Sequence, residues 1–201
     1  HLRQIELETI ELEASPEEEK KELILLYQAK GMSELEAKKL AEKATKEGEE
    51  KAQKIACDLI AKMELVGVLA VEMFLTKDGE VLINEIAPRP HNSGHQSIRG
   101  NATSQYEQHL RAIANLPLGD TSGEVFSGMI NLLGAEGFEG EAVYEGLESC
   151  LEIPGVYPFL YGKKITKPFR KMGHVTILGY SRADIIEKSN KVKQLIRVIS
   201  K

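Results

Sequence analysis

The segment Ala70–His95, "AVEMFLTKDGEVLINEIAPRPHNSGH", places one apolar run on each side of the dipeptide Asp78-Gly79. Asp-Gly is a strong hairpin signal, because a two-residue type I′ turn needs positive φ at both central residues. With these two residues as the loop, the numbers of every facing pair add to 157, and so do those of Glu72 and Glu85. The sequence therefore predicts that the two glutamates face each other on one side of a two-stranded hairpin.

Two facing carboxylates are destabilising unless something compensates their charge. We expect water to be scarce around them, because their neighbours are apolar: Val68, Leu69, Val71, Phe74, Val81, Leu82 and Ile83. Three compensations are open, namely a shared proton, a nearby cation such as Arg89, or a divalent metal that both carboxylates bind. The alternative is an ordinary surface face of an edge hairpin, paired with arginine.

A polar loop, "NEIAPRPHNSGH", follows the second strand directly. Five of its side chains are candidates to face a ligand, and Gly94 lets the backbone approach closely: Arg89, His91, Asn92, Ser93 and His95. A metal at the carboxylate pair would lie beside this anion-binding loop, an arrangement typical of phosphoryl-transfer sites.

A second group of basic residues lies in "GKKITKPFRKMGH". Its members are Lys163, Lys164, Lys167, Arg170, Lys171 and His174. A solvated basic face is the alternative for any one lysine, but Arg170 and His174 between apolar strands favour a binding function.

The first fifty residues contain no Val and no Phe and are dense in Glu and Lys. Helix-capping signals predict one helix from Ser15 to Gly31, a second from Ser33 to about Lys46, and a further helix before Ser15.

The rest of the chain changes character near residue 50. We predict a helix over 49–63, the hairpin over 66–86, a helix over 104–115, strands near 125–133, 141–144, 156–161 and 173–178, and a last helix over 181–199. The predicted fold class is α+β, with an N-terminal helical hairpin. Three domains are predicted. The first is an acidic helical segment over 1–48, the second covers 49–134, and the third, over 135–201, is β-rich and ends in a helix.

Bulk properties narrow the classes of function. The net charge of −5 over 201 residues argues against general nucleic-acid binding. Cys57 and Cys150 are far apart and lack metal-ligand spacing, which favours a reducing cytoplasm. No apolar run reaches the roughly 20 residues that a membrane span needs.

From about Glu50 to the end, the chain resembles the C-terminal half of the 5-(carboxyamino)imidazole ribonucleotide synthetases, which are ATP-grasp ligases of purine biosynthesis. The resemblance rests on "GVLAVEMFLTKDGEVLINEIAPRPHNSGH", "QYEQHLRAI", "MINLLG" and "YGKKITKPFRKMGH", which occur in the family's order. It implies an ATP-grasp fold and ATP-dependent joining of bicarbonate to aminoimidazole ribonucleotide through carboxyphosphate.

The same resemblance implies roles for particular residues. Glu72 and Glu85, supported by Asn84, would hold Mg²⁺ on the ATP phosphates. Arg89, Lys163 and Arg170 would be catalytic, and the substrate-binding set would be Arg89, His91, Asn92, Ser93, Lys163 and Arg170. The expected partners are ATP, bicarbonate and the ribonucleotide, with a homodimer as the assembly and without nucleic acid or membrane.

Residues 1–48 do not resemble that family's N-terminal half. Their run "IELEASPEEEKKELILLYQAKGMS" is similar to the cytosolic metal-binding helices of the vacuolar iron transporter family. This second resemblance implies Fe²⁺ or Zn²⁺ at two E-x-x-E pairs, each on one helical face, and a chimeric chain. The residues of these pairs are Glu8, Glu11, Glu19 and Glu22, and the alternative is a solvated acidic helix. Three functions follow as alternatives: a ligase part that is inactive alone, a metal-binding regulatory module, or a structural hybrid without activity.

Overall fold

The structure is a computed structural model that describes residue 28 and residues 32–76, 79–123 and 125–201. The described chain divides into two compact units. The first runs to His91 and also contains His109–Pro117, and the second contains Asn92–Gln108 and Leu118–Lys201. Within the described residues, no helix is both long enough and apolar enough to cross a membrane.

The first unit begins with one long helix, α1, Glu34–Lys62. The predicted capping box is present, since the Glu36 N–H donates to Ser33 Oγ and the Ser33 N–H donates to the Glu36 carboxylate. The predicted break near residue 47 is wrong. Gly48 continues the helix and is buried, and a Cβ on it would lie 3.2 Å from Leu75 Cδ1. Gly48 therefore permits close packing on the next element rather than ending the helix.

The rest of the predicted helical hairpin, residues 1–31 apart from residue 28, lies outside the described residues. The same holds for the predicted metal ligands Glu8, Glu11, Glu19 and Glu22. The division into domains at residues 48 and 134 stays a prediction.

After α1 comes the predicted hairpin, formed by β1, Ala70–Leu75, and β2, Val81–Ala87, paired antiparallel. Its loop is longer than predicted, because the Thr76 N–H donates to the Glu80 carbonyl at 2.8 Å and three residues separate this pair. The prediction of a two-residue loop is therefore wrong.

The prediction that Glu72 faces Glu85 is confirmed all the same. The longer loop shifts the pairing by one residue near the turn, and a bulge next to Glu72 shifts it back. Met73 pairs with Ile83, so Asn84 is the extra residue on the second strand. A bulge re-aims a side chain in this way, whereas an uncorrected slip would turn Glu85 to the other face.

The expectation that water is scarce around the hairpin is wrong. Four of its apolar side chains are exposed: Phe74 to 60%, Leu82 to 49%, Ile83 to 46% and Ile86 to 39%. The two-stranded ribbon leaves these side chains uncovered, so the alternating apolar pattern alone did not indicate burial.

The second unit contains two three-stranded antiparallel sheets. The first has the strand order β3-β7-β5, with β3 Phe126–Leu133, β7 Lys171–Gly179 and β5 Val156–Leu160. The second has the order β6-β4-β8, with β6 Ile165–Thr166, β4 Gly140–Glu145 and β8 Arg197–Ser200. The helices are α2 Ser97–Gly100, α3 Gln105–Ile113 (which continues into the first unit), α4 Leu147–Leu151 and α5 Arg182–Leu195.

The central strand β7 is buried on both faces. On one face Val175 and Ile177 are fully buried and join the core cluster with Ile185 and Val192 of α5. On the other face His174 and Thr176 are also buried, at 2% and 0% exposure. A polar layer therefore lies on the side of the sheet opposite the apolar core.

The predicted strands are confirmed in this unit, and so is the helix over 104–115. The predicted last helix is wrong in its final turn, because α5 ends at Leu195 and Arg197–Ser200 forms β8. Val198 is buried and pairs with Tyr144, so pairing with β4 prevails over continuation of the helix.

A matched pair of glycine substitutions tests the packing beneath α4. Gly146 and Gly137 both have positive φ, at 73° and 83°, but a Cβ on Gly146 would overlap the Leu195 carbonyl oxygen, whereas nothing lies within 4 Å at Gly137. We expect Gly137→Ala to lower the free energy of unfolding by about 1–2 kcal/mol, the cost of the left-handed conformation. Gly146→Ala should lower it by about 1–3 kcal/mol more, because the backbone has to move. Equal losses in urea unfolding would contradict this packing.

Candidate functional site

The two facing carboxylates share one imidazole. His91 Nε2 lies 3.4 Å from Glu72 Oε1 and 3.7 Å from Glu85 Oε1, and the His91 side chain is only 12% exposed. Asn84, the bulge residue, donates from Nδ2 to Glu72 Oε2 at 3.2 Å. The carboxylate repulsion is thus offset by His91 and Asn84, and a protonated imidazole would pair with both acids.

Of the three compensations left open by the sequence, a counter-charge from Arg89 is not observed. Its guanidinium Nη1 donates to the Pro90 carbonyl at 2.9 Å, and it forms no ion pair with Glu72 or Glu85. Arg89 is exposed. The local geometry of the proline-stiffened loop turns the guanidinium back on its own backbone and brings His91 to the carboxylates.

The hairpin offers oxygen donors for a cation. Among the described residues, no set of three or more His, Cys, Asp or Glu groups has a geometry that could hold a metal ion. Glu72 and Glu85 nevertheless place two carboxylates on one face of the hairpin, and the Asn84 amide nitrogen donates to one of them. Mg²⁺ is usually bound by one or two carboxylates, with waters and substrate phosphates completing its octahedron. The residues present fit that requirement.

Asn92 and Ser93 open a 3₁₀ turn, Ser93–Gln96, in the second unit. The Asn92 carbonyl accepts the His95 N–H at 3.1 Å, while Asn92 Nδ2 is buried and has no hydrogen-bond partner among the described residues. Gly94 does allow a close approach, but the neighbour is the Gln105 side chain, 2.5 Å from an ideal Cβ.

His95 is the centre of a polar contact between this turn and α3. Its Nδ1 lies 2.9 Å from both Gln105 Nε2 and Tyr106 Oη, and its ring stacks on Tyr106 with centroids 5.6 Å apart. On its other side, the His95 ring lies 5.0 Å from the His174 ring.

His174 is a buried neutral residue rather than part of a basic surface. Its Nδ1 lies 3.0 Å from Tyr161 Oη, and its ring stacks on Phe159 at 4.8 Å. Burial, and after it the proximity of His95, lowers the pKa of His174 to about 4. The prediction that counted His174 among the cations is therefore wrong at neutral pH.

Lys163 and Arg170 are half-buried and cross-link the connection between β5 and β7. Lys163 Nζ donates to the Lys171 carbonyl at 2.5 Å and lies 5.6 Å from the centre of the Tyr161 ring. Arg170 Nη1 donates to the Ile165 carbonyl at 2.9 Å. In the part of the chain that the structure describes, neither cation has a carboxylate partner, whereas Lys164 and Lys167 are simply exposed.

Sequence reasoning missed four residues of this cluster: Gln105, Tyr106, Phe159 and Tyr161. A signal existed in "VYPFLY", where aromatic residues alternate on one face of β5. Phe159 pairs with His174, and His174 pairs with Asn131, so these three side chains lie side by side across the sheet. These contacts arise because strands that are distant in sequence pair with each other, so a local sequence pattern does not predict them.

The predicted site residues fall into the two compact units. Glu72, Glu85, Arg89 and His91 belong to the first, and Asn92, Ser93, Lys163 and Arg170 belong to the second. The resemblance described above also implies that His91 and Arg170 line one cleft, and this stays a prediction.

Comparison with known proteins identifies relatives for most of the chain. Two protein-family models match: the ATP-grasp domain over residues 22–106, and the phosphoribosylaminoimidazole carboxylase C-terminal domain over residues 127–188. The N5-carboxyaminoimidazole ribonucleotide synthase of Aquifex aeolicus is 44% identical over 148 residues, 73% of this chain and 38% of the relative. The synthase of Bacillus subtilis is 48% identical over 130 residues, 65% of this chain and 33% of the relative.

Solved structures agree with these matches. The N5-carboxyaminoimidazole ribonucleotide synthetase of Thermotoga maritima is 49% identical, with a TM-score of 0.71 over 76% of this chain and 42% of that protein. The N5-carboxyaminoimidazole synthase of Aspergillus clavatus, in complex with ADP and 5-aminoimidazole ribonucleotide, is 36% identical, with a TM-score of 0.60 over 73% of this chain and 38% of that protein. The chain is thus homologous to these synthetases, has a mixed α/β, ATP-grasp-like fold, and spans about two-fifths of their length.

The resemblance of residues 1–48 to iron transporters has no support in these comparisons. The ATP-grasp match begins at residue 22 and continues across the predicted boundary at residue 48, as does the helix α1. The predicted chimera and its Fe²⁺ or Zn²⁺ site are likewise unsupported.

The buried state of His174 predicts a pH dependence of stability. The pKa is about 4 in the folded chain and about 6.5 in the unfolded chain, so between these values the unfolded state binds more protons. Stability should therefore be highest above pH 6.5 and fall as the pH drops toward 4. His174→Gln should flatten this part of the curve, measured by urea unfolding from pH 4 to 7.5. Parallel curves for the variant and the parent chain would contradict the assignment.

Proposed function

We propose that this chain is part of a ligase that carboxylates 5-aminoimidazole ribonucleotide with bicarbonate, driven by ATP hydrolysis, in purine biosynthesis. The observation that carries the proposal is that homology to the synthetases includes both the facing carboxylates and the basic segment. Because the chain spans only about two-fifths of its relatives, the activity of the whole protein is part of the proposal. We expect a homodimer in the cytosol.

The carboxylate pair is the proposed magnesium site. Glu72 and Glu85 supply two carboxylates on one hairpin face, and the hydrogen bond from Asn84 orients the Glu72 carboxylate. When bound, Mg²⁺ offsets the negative charge of nucleotide phosphate oxygens. His91 contacts both acids, so its imidazolium would repel the metal, and its neutral form would leave both carboxylates available.

The basic segment is the proposed anion site. Lys163 and Arg170 are half-buried cations, each with a carbonyl acceptor and without a carboxylate partner among the described residues. A phosphate or a carboxyl phosphate supplies the missing negative charge through charge-assisted hydrogen bonds. In the first unit, Arg89, which is exposed, is separately proposed to bind an anionic group of a substrate.

In this proposal the chain binds and orients the reactants and stabilises the charge that develops as they react. Bicarbonate attacks the γ-phosphorus of ATP to give carboxyphosphate and ADP, and the amine of the ribonucleotide attacks the carboxyl carbon and releases phosphate. Arg89, Lys163 and Arg170 stabilise the charge on the transferring groups. Asn92, Ser93 and His91 complete the proposed substrate contacts. The Aspergillus clavatus relative binds ADP and aminoimidazole ribonucleotide, which supports this choice of ligands.

Removing one charge of the carboxylate pair tests the metal site. We expect Glu85→Gln to raise the metal-free stability of the chain by up to about 1 kcal/mol, because it removes cross-strand repulsion. The same change should abolish any rise in melting temperature with MgCl₂ plus ATP. Glu141→Gln, at an exposed glutamate that pairs with Lys201, is the control. An undiminished rise in Glu85→Gln would contradict the assignment.

A substitution at Arg170 tests whether this cation binds a substrate or is only a surface charge. Arg170→Met removes one hydrogen bond to a backbone carbonyl, so the stability should change by about 1 kcal/mol or less. Affinity for aminoimidazole ribonucleotide should fall by roughly 1.5–3 kcal/mol, the range for hydrogen bonds to charged groups. Isothermal titration measures it, with Lys167→Met as the matched control at an exposed cation. Equal affinities in the two variants would show that Arg170 is not in the site.

A polypeptide of these 201 residues alone should have no carboxylation activity. Holding two reactants in the right geometry lowers the activation barrier by roughly 7–11 kcal/mol. A chain with only part of the site cannot hold both reactants in that geometry. The measurement is ADP release that depends on both bicarbonate and the ribonucleotide. Turnover by the isolated chain would refute the idea that further parts of the relatives are required.

A further inference from the structure

The half-buried Tyr161 hydroxyl and the buried His174 imidazole form a pair that the proposed reaction does not use directly. Burial raises the pKa of Tyr161 to about 12, so its hydroxyl keeps its proton. Within the described chain, the only hydrogen-bond partner of this hydroxyl is His174 Nδ1, at 3.0 Å. Phe159 lies parallel to the imidazole, with an interplanar angle of 14°, and limits its rotation.

The direction of this hydrogen bond follows from the donor and acceptor strengths. A phenol is a good donor, and the bare nitrogen of a neutral imidazole is a good acceptor. The Tyr161 hydroxyl therefore donates to Nδ1, which leaves the imidazole proton on Nε2. His174 Nε2 is buried and has no partner among the described residues, so an ordered water molecule is its expected acceptor.

The Tyr161 ring in turn supports the Lys163 ammonium. Lys163 Nζ lies 5.6 Å from the ring centre, within cation–π range. The hydrogen bond that Nζ donates to the Lys171 carbonyl holds the ammonium from a second side. Without the bond to His174, the ring would keep its apolar contacts but lose the polar anchor at its far end.

We infer that His174 is a positioning residue, which holds the Tyr161 ring beneath the Lys163 ammonium by accepting the hydroxyl hydrogen bond. The effect on the ammonium follows from the contacts alone. Only the consequence for a bound ribonucleotide rests on the proposed function.

A double-mutant cycle tests this inference without substrate. The readout is the ¹³Cε–¹Hε resonance of Lys163, which the aromatic ring shifts while it stays beneath the ammonium. Tyr161→Phe keeps the ring and the packing but removes the hydroxyl, and His174→Phe removes the acceptor. Each single change should move the resonance toward that of an exposed lysine. The double variant should move it no further, because both changes break the same bond.

Tyr144→Phe is the matched control, since its hydroxyl donates to the Met172 backbone carbonyl instead. It should leave the Lys163 resonance in place. An unmoved resonance in Tyr161→Phe, or fully additive shifts in the double variant, would overturn the inference. If His174→Phe does not fold, the near-isosteric Tyr161→Phe decides alone.

Two further measurements complete the test. The ¹⁵N spectrum of the imidazole should show Nε2 protonated and Nδ1 bare at pH 7, and the reverse would overturn the proposed hydrogen bond. Titration with aminoimidazole ribonucleotide should show about three- to tenfold weaker binding in Tyr161→Phe, the worth of one hydrogen bond. If the parent chain does not bind the ribonucleotide, the proposed function fails, and the Lys163 resonance still decides the role of His174.

Discussion

The packing of the second unit depends on the burial of strand β7 on both of its faces. Val175 and Ile177 point into the apolar core beneath α5, while His174 and Thr176 lie in a polar layer on the opposite face, and all four are essentially inaccessible to solvent. A strand in the middle of an antiparallel sheet usually has one wet face, with polar residues that are satisfied by water. Here the polar face is covered, and its groups are only partly satisfied within the described chain, since His174 Nε2 and Thr176 Oγ1 have no hydrogen-bond partner there. The Tyr161 hydroxyl, the Phe159 ring and the His95 ring contact the His174 ring on its other sides and give it a defined geometry.

At its hairpin, the first unit has to accommodate two carboxylates that face each other. Two unit charges about 4 Å apart repel by only about 1 kcal/mol in bulk water, and the 54% exposure of the Glu85 side chain keeps its repulsion with Glu72 closer to that value than to the value of a dry interior. The Asn84 amide donates to Glu72, and His91 Nε2 lies 3.4 Å and 3.7 Å from the two carboxylates. The bulge at Asn84 is essential to this arrangement, because it aligns the two carboxylates and also supplies the amide that contacts one of them. One inserted residue thus determines both the register and the donor set.

The parts of the structure that local patterns encode were predictable from the sequence. The capping box at Ser33 and the strands of the second unit follow from caps and alternation. Glu72 faces Glu85 as predicted, but only because the bulge at Asn84 corrects a loop that is longer than predicted. The other errors occur where tertiary contacts override local signals. A helix end near Lys46 was predicted, but the helix continues through Gly48, which packs on Leu75. Arg197–Ser200 continued a helical pattern but pairs with β4. The site divides in the same way. Its charged residues were evident from their motifs, whereas the compensation by His91 and the neutral state of His174 depend on contacts between elements distant in sequence.

The two units carry charge imbalances of opposite sign. The hairpin has two carboxylates and one shared imidazole, and the β5–β7 connection has two half-buried cations whose described partners are uncharged carbonyl oxygens. Optimising the empty chain for stability would remove both imbalances, for example by pairing Lys163 with an acid, but it would also remove the sites at which a cation and an anion can bind. The rigid aromatic support of Lys163 is consistent with this view, because a cation that waits for its counter-ion has to be held in place by uncharged groups. Tyr161 and His174 meet that requirement, since one keeps its proton and the other stays neutral at physiological pH.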